Sequence, residues 1–259
     1  MHKTPGKILE RTLYQLSPPA YHFYDRGRQK VRPWFESAAQ KHQRERKTAD
    51  YLLLSLTNCG RTWLRVIIGR AMQLHYCDDN RSDSGSNVRA SGCLDRVNLH
   101  DLFRFSESVP LLPAIKPMHE KYGQFGNSYH HQKVILLVRD PRDAIVSRYH
   151  QHKDSLAFDD LESYVTESKD LAAYIQYYND WQQNSQSAKS LLVVRYEDMK
   201  ANTCREVGRV FDFLQVAVTA DEVQRAVDYA SFKNMRKMEL EGSQQVRTGV
   251  MSSRDVNDP

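Results

Sequence analysis

Only four cysteines are spread over the 259 residues, at 59, 77, 93 and 204. No two are spaced as CxxC, and no histidine follows at zinc-finger spacing. Neither a metal framework nor a disulfide scaffold is readable, so free thiols in a reducing compartment are expected. Glycine and proline are also few, 11 and 9, which excludes collagen-like and low-complexity chains. Long apolar runs are missing. The longest, at 51–54 and 134–138, fall far short of the ~20 residues a membrane helix needs. The first eleven residues carry Lys3, Lys7, Glu10 and Arg11 around no apolar centre. No secretory signal is visible there, and a cytoplasmic location is the expectation.

Hydrophobic residues make up 40% and charged residues 27%, as in an ordinary globular domain. The length suits a single α/β domain. Net charge is +5, and its placement is uneven. Between Arg26 and Lys47 stand eight basic and two acidic residues, a local excess of six, so the rest of the chain is close to neutral. A solvated helix face is the reading here. No aromatic interleaving or nucleic-acid motif accompanies the charge, and no nucleic-acid partner is expected.

Residues 1–50 read as a basic N-terminal arm with a helix near 34–47, and residues 51–259 as the domain proper. Tyr51-Leu-Leu-Leu-Ser-Leu56 reads as a buried strand, and Thr62 to Tyr76 as an amphipathic helix. The polar stretch 77–98 is a long loop of the kind that is either functional or disordered. Lys133–Val138 is nearly all apolar, as in a parallel strand covered on both faces. Asp140 as N-cap and Pro141 in the first turn open a helix to about His152. A single helix is expected over 160–183, with Leu161, Tyr164, Val165, Leu171, Ala172, Ile175, Tyr178 and Trp181 as its buried stripe. Leu191–Val194 is a third strand. Val207, Val210, Phe211 and Leu214 mark a helix, and Thr219 with Glu222 a capping box for another. Alternating strands and helices imply α/β architecture, with a central parallel sheet flanked by helices.

Two strand ends carry phosphate chemistry. Leu56-Thr57-Asn58-Cys59-Gly60-Arg61-Thr62-Trp63 joins a strand to a helix, where free N–H groups and the helix dipole favour an anion. Gly60 permits close backbone approach, Arg61 adds charge and Thr62 a hydroxyl. The ATPase pattern GxxxxGK[ST] is not met, because the first glycine is absent and Arg61 stands at the lysine. The second site is Arg139 at the end of a strand, with Ser147 two helical turns on. Two such sites suit a nucleotide with phosphates at both ends.

These segments resemble the sulfotransferases that use 3′-phosphoadenosine 5′-phosphosulfate (PAPS), specifically the soluble, bacterial-type sulfotransferase-domain group. LTNCGRTWLR is similar to that family's 5′-phosphosulfate loop, YPKSGTTWL. LLVRDPRDAIVSRYH is similar to its 3′-phosphate segment, VVRYEDM to its YEDL segment and YASFKNMRKME to its SFxxM segment. The resemblance covers about residues 50–240. It implies a P-loop-like phosphosulfate loop after the first strand of a single α/β domain. It also implies sulfuryl transfer from PAPS to a hydroxyl or amine, with 3′-phosphoadenosine 5′-phosphate (PAP) as product and no metal. By position, Asn58, Cys59, Gly60, Arg61 and Thr62 would hold the 5′-phosphate. Trp63 and Phe232, with Met235, would border the adenine. Arg139 and Ser147 would hold the 3′-phosphate, and Tyr196 would touch the nucleotide.

The same resemblance implies a histidine base just after a strand. His119, in Ile115-Lys116-Pro117-Met118-His119-Glu120, fits that place, with Glu120 to orient it and His100 as rival. The family's loop lysine is replaced by Asn58, which donates hydrogen bonds without charge. Either Arg61 or Lys116 supplies the charge, or catalysis is weakened. The family's closing basic, glycine-containing segment is poorly matched by Val246-Arg247-Thr248-Gly249, and whether it lies beyond the end of this sequence is not readable. A PAP/PAPS-binding protein with weak or no catalysis, and a P-loop nucleotide kinase, are the alternative readings. The acceptor, a small molecule, glycan or lipid, is not readable, and neither is the oligomeric state.

Overall fold

In a computed structural model, residues 37–77, 101–109, 111–124, 129–153 and 155–240 are described. Their elements run in chain order as α1 (Ala38–Thr48), β1 (Tyr51–Leu54), α2 (Arg61–Cys77), α3 (Leu102–Ser108), β2 (Ile115–Met118), β3 (Lys133–Val138) and α4 (Pro141–His152). They continue as α5 (Leu161–Glu167), α6 (Asp170–Gln183), β4 (Ser190–Arg195), α7 (Tyr196–Ala201), α8 (Thr203–Leu214), α9 (Ala220–Tyr229) and α10 (Phe232–Leu240).

The sheet is four-stranded and parallel, in the order β2-β1-β3-β4. Successive strand side chains point to opposite faces, and β1 shows the consequence. Tyr51 and Leu53 enter one apolar cluster with residues of α2, α8 and α9, whereas Leu52 and Leu54 enter another with Tyr129, Tyr177 and Trp181. Both faces are therefore covered, as the continuous apolar runs implied.

Local signals set many boundaries as read. The Asp140 carboxylate accepts the Arg142 N–H at 2.9 Å, with Pro141 opening α4. Thr219 caps α9 with Glu222 completing the box. The expected helix over 160–183 is instead two, parted at Ser168-Lys169. The buried stripe of the second is Tyr174, Tyr177 and Trp181, while Ala172 is exposed and Ile175 is 46% exposed. β2 and α3 were not read from periodicity, being only 4 and 7 residues long.

The basic run departs from a solvated face at α1. Arg46 is buried and makes two 2.9 Å bonds to the Glu120 carboxylate, which also accepts from the Tyr129 hydroxyl at 2.6 Å. Removing one member of a buried pair strands its partner's charge, at about 3–5 kcal/mol. Arg46→Ala should lower the unfolding free energy by that amount in urea titration, whereas loss of the looser Lys41–Glu45 pair, at 3.7 Å, should shift it by less than about 1 kcal/mol. A shift below about 1 kcal/mol for Arg46→Ala would show that the cluster does not anchor α1.

Candidate functional site

The parallel order puts the carboxyl end of β1 between those of β2 and β3. The segment from Ser55 to Gly60 crosses this edge before α2 begins. Two of its residues are left-handed, Asn58 with φ 57° and Gly60 with φ 83°. Asparagine is among the few non-glycine residues that accept this conformation. Gly60 is further constrained, because a Cβ there would come within 2.5 Å of the Tyr196 ring. Glycine is thus demanded twice, by backbone and by space.

Tyr196 holds the site together. Its ring lies against Gly60, stacks under the Arg139 guanidinium at 4.4 Å and meets Trp63 edge-on at 6.1 Å. The Trp63 indole N–H donates to the Ala230 carbonyl at 3.0 Å, which ties α2 to the segment leading into Phe232. Phe232 is 53% exposed at the start of α10, while Met235 is buried in the core.

The two candidate phosphate segments meet at Asn58. Arg139 donates from Nη1 to the Asn58 carbonyl at 2.8 Å. The Asn58 amide donates to Gln151 at 2.7 Å and to Ser147 at 3.3 Å, both on α4. Thr57 accepts from Tyr174 at 2.6 Å, and Arg139 exchanges bonds with the Tyr178 hydroxyl at 3.1 and 2.9 Å. These tyrosines, one turn apart on α6, pin both strand ends. Arg148 donates to Thr57 at 3.1 Å and pairs with Asp170 at 2.8 Å. Cys59 is fully buried, and burial pushes its thiol up to about 11. It can serve an anion only through its main chain.

On the other flank, His119 follows β2. Its Nδ1 donates to the Ser55 carbonyl at 2.9 Å, which leaves Nε2 with the lone pair. That Nε2 accepts from the Arg61 guanidinium. Enclosure among neighbouring side chains, then the charges of Arg61, Arg65 and Arg148, push the imidazolium down to about 4. The ring keeps an exposed edge, where solvent screens part of these charges. Burial, with Arg65 nearby, lowers Arg61 to about 10.

Two expected partners are elsewhere. Glu120 does not orient His119, because it is buried against Arg46 and Tyr129; the Ser55 carbonyl does so instead. Lys116 pairs with Glu45 at 2.5 Å beside Leu52 in the strand register, well back from the loop. It therefore supplies no charge to the loop. His100 and residues 246–249 lie outside the described residues.

Around the loop, Arg61 Nη1 and Arg139 Nε are buried N–H groups with no acceptor among the described residues. Buried donors of this kind call for a partner that the described residues do not supply, and the residues present fit a nucleotide with two phosphorylated ends. Among the described residues, no cluster of His, Cys, Asp or Glu is arranged to hold a metal ion.

A parallel α/β sheet with a P-loop-like turn after its first strand and a second basic strand end defines a nucleotide-using transferase architecture. Residues 48–257 match the sulfotransferase domain model, and the chain belongs to that family, whose members move a sulfuryl group from PAPS to an acceptor. It is 25% identical over 198 residues to sulfotransferase 2A6 of Mus musculus, covering 74% of this chain and 68% of that one. It is 24% identical over 223 residues to cytosolic sulfotransferase 14 of Arabidopsis thaliana, covering 75% and 63%. The chain thus spans about two thirds of the length of these relatives. Mouse sulfotransferase SULT7A1 complexed with PAP shares the fold, with TM-score 0.53 and 20% identity over 80% of this chain and 72% of that one. A retinol dehydratase in complex with androsterone and PAP does so too, with TM-score 0.52 and 17% identity over 81% and 76%.

Proposed function

We propose that the chain binds PAPS across the loop after β1 and the ends of β3 and β4, with His119 as base for the acceptor hydroxyl. The observation that carries this reading is Arg139 at the strand end beside the loop, whose Nε–H is buried and satisfied by no described residue. When bound, PAPS supplies an electrophilic sulfur with a phosphate leaving group. The amides of residues 59–62 and Thr62 hold the 5′ end. Arg139 and Ser147 hold the 3′-phosphate. Trp63 and Phe232 border the base. Met235, being buried, shapes the wall behind them. His119 Nε2 takes the acceptor proton, and Ser55 holds the ring in the tautomer that allows it.

The acceptor is a small polar molecule or glycan taken from solution. Among the described residues no helix is long and apolar enough to cross a membrane, and two relatives are named cytosolic sulfotransferases. A cytoplasmic setting accords with both. A second reading, a nucleotide-binding protein with weakened catalysis, is favoured by one fact. The Asn58 amide is spent on Gln151 and Ser147, and Lys116 is paired with Glu45.

Calorimetry with PAP and 5′-AMP, with and without a chelator, tests the binding. PAP should bind equally well in both conditions. Arg139→Ala should cost PAP about 1.5–3 kcal/mol, the worth of a charged hydrogen bond, and cost 5′-AMP much less. Equal losses for the two nucleotides would remove Arg139 from the 3′-phosphate.

A further inference from the structure

Arg61 and Arg65 stand one turn apart on α2, so their side chains share a face. Both guanidiniums are largely enclosed, and burial lowers both. Arg61 Nη1 and Arg65 Nε have no hydrogen-bond partner among the described residues. Neither arginine has an ion pair among the described residues. Asp101, the acid facing Arg65, commits its carboxylate to the start of α3, accepting from the Arg104 N–H at 3.2 Å and lying 3.3 Å from the Arg104 guanidinium.

The topology gives this pair a side. Arg139, Ser147 and Tyr196 come from β3, α4 and the end of β4, on one flank of the β1 loop. Arg61 touches His119, which follows β2, and Arg65 is coupled to His119 and to Asp101, which leads through α3 into β2. The arginine pair is therefore on the base's flank, away from the 3′-phosphate segment.

We infer that Arg61 and Arg65 form the acceptor's anion site, and that the acceptor is an alcohol carrying a carboxylate close to the hydroxyl that is sulfated. The inference rests on the sulfuryl-transfer reading. Two enclosed cations whose one facing acid, Asp101, is shared with Arg104 are a poor resting arrangement in low dielectric, and a planar carboxylate matches the guanidinium fork. The Arg61 contact adds a functional reason. In the free protein Arg61 covers the lone pair that must take the proton. A carboxylate drawing Arg61 aside uncovers Nε2 and weakens the field that acidifies the imidazolium. The hydroxyl proton then passes to Nε2 as its oxygen bonds to sulfur. The sulfur's bond to the 5′-phosphate oxygen breaks, and the electron pair stays on that oxygen.

Matched probes test this. Methyl β-glucuronide carries a carboxylate where methyl β-glucoside carries a hydroxymethyl group, and salicylate carries one beside its hydroxyl where methyl salicylate carries a neutral ester. The PAP-loaded protein should bind the acid of each pair at least 10-fold more tightly in calorimetry, and with PAPS the acid should show at least 10-fold higher kcat/KM. Arg65→Met should erase both preferences with PAP affinity unchanged, and Arg65→Lys should keep part of them. Equal binding of acid and neutral probe would overturn the inference, as would a preference that survives Arg65→Met. A loss of PAP affinity in that variant would assign the pair to the donor and overturn it equally. Failure of the wild type to bind PAP would instead defeat the underlying reading.

Discussion

His119→Ala should reduce sulfuryl transfer by about 10²–10⁴-fold, the usual worth of a general base, and leave PAP affinity within about 3-fold of wild type. Among the described residues the ring's hydrogen bonds go to the Ser55 carbonyl and to Arg61, and to neither Arg139 nor Ser147. The pH profile follows from the depressed imidazolium, at about 4 in the free protein. The neutral, proton-accepting form dominates above that value, so kcat/KM should be lost only as pH falls through the region near it. Once substrates neutralise Arg61, the value rises towards the ordinary histidine range near 6.5. The acid limb of kcat should therefore lie at higher pH than that of kcat/KM. Full transfer in His119→Ala, with loss in His100→Ala, would move the role to His100. Coincident acid limbs would show that Arg61 does not set the imidazole's basicity.

Where a structural feature depends on neighbours in sequence, it was legible. β3 and α4 have the expected bounds because an apolar run and the Asp140-Pro141 start are local signals. The loop residues Asn58 to Thr62 stand out as a candidate anion site for the same reason, since a strand, a glycine and a helix start are contiguous. What escaped reading depends on distant partners. Arg46 looks like surface charge until Glu120, 74 residues on, meets it in the core. Lys116 looks like a free cation until Glu45, 71 residues earlier, takes it. Tyr178 reads only as one residue of a buried stripe and Tyr174 carries no signal, because the carbonyls of Thr57 and Arg139 that their hydroxyls reach come from other strand ends. Ser55 and Arg65 gave no signal at all. One holds the His119 ring through a main-chain oxygen, and the other is a single arginine in an amphipathic helix.

Asn58→Lys should raise the transfer rate by about 10²-fold, the scale of one oxyanion-type donor. Charge on the bridging oxygen develops only as its bond to sulfur breaks, so a cation there acts on the rate far more than on ground-state affinity. The free protein supplies none from the expected sources. Lys116 is held by Glu45, and Arg61 is turned to His119 on the base's flank. The substitution also has a structural cost. Lysine must adopt the left-handed backbone that Asn58 tolerates at φ 57°, about 1–2 kcal/mol, and it forgoes the bonds to Gln151 and Ser147. A thermal midpoint lower by several degrees should therefore accompany the faster rate. PAP affinity should change by less than the rate does, because Arg139 and the loop amides remain. Measurement of single-turnover rates, PAP affinity and melting on the same variant separates these effects. No rise in rate, combined with collapse of transfer in Arg61→Met, would show that Arg61 swings to the leaving oxygen and already does the work. No rise, with Arg61→Met still active, would show that leaving-group charge does not limit this protein.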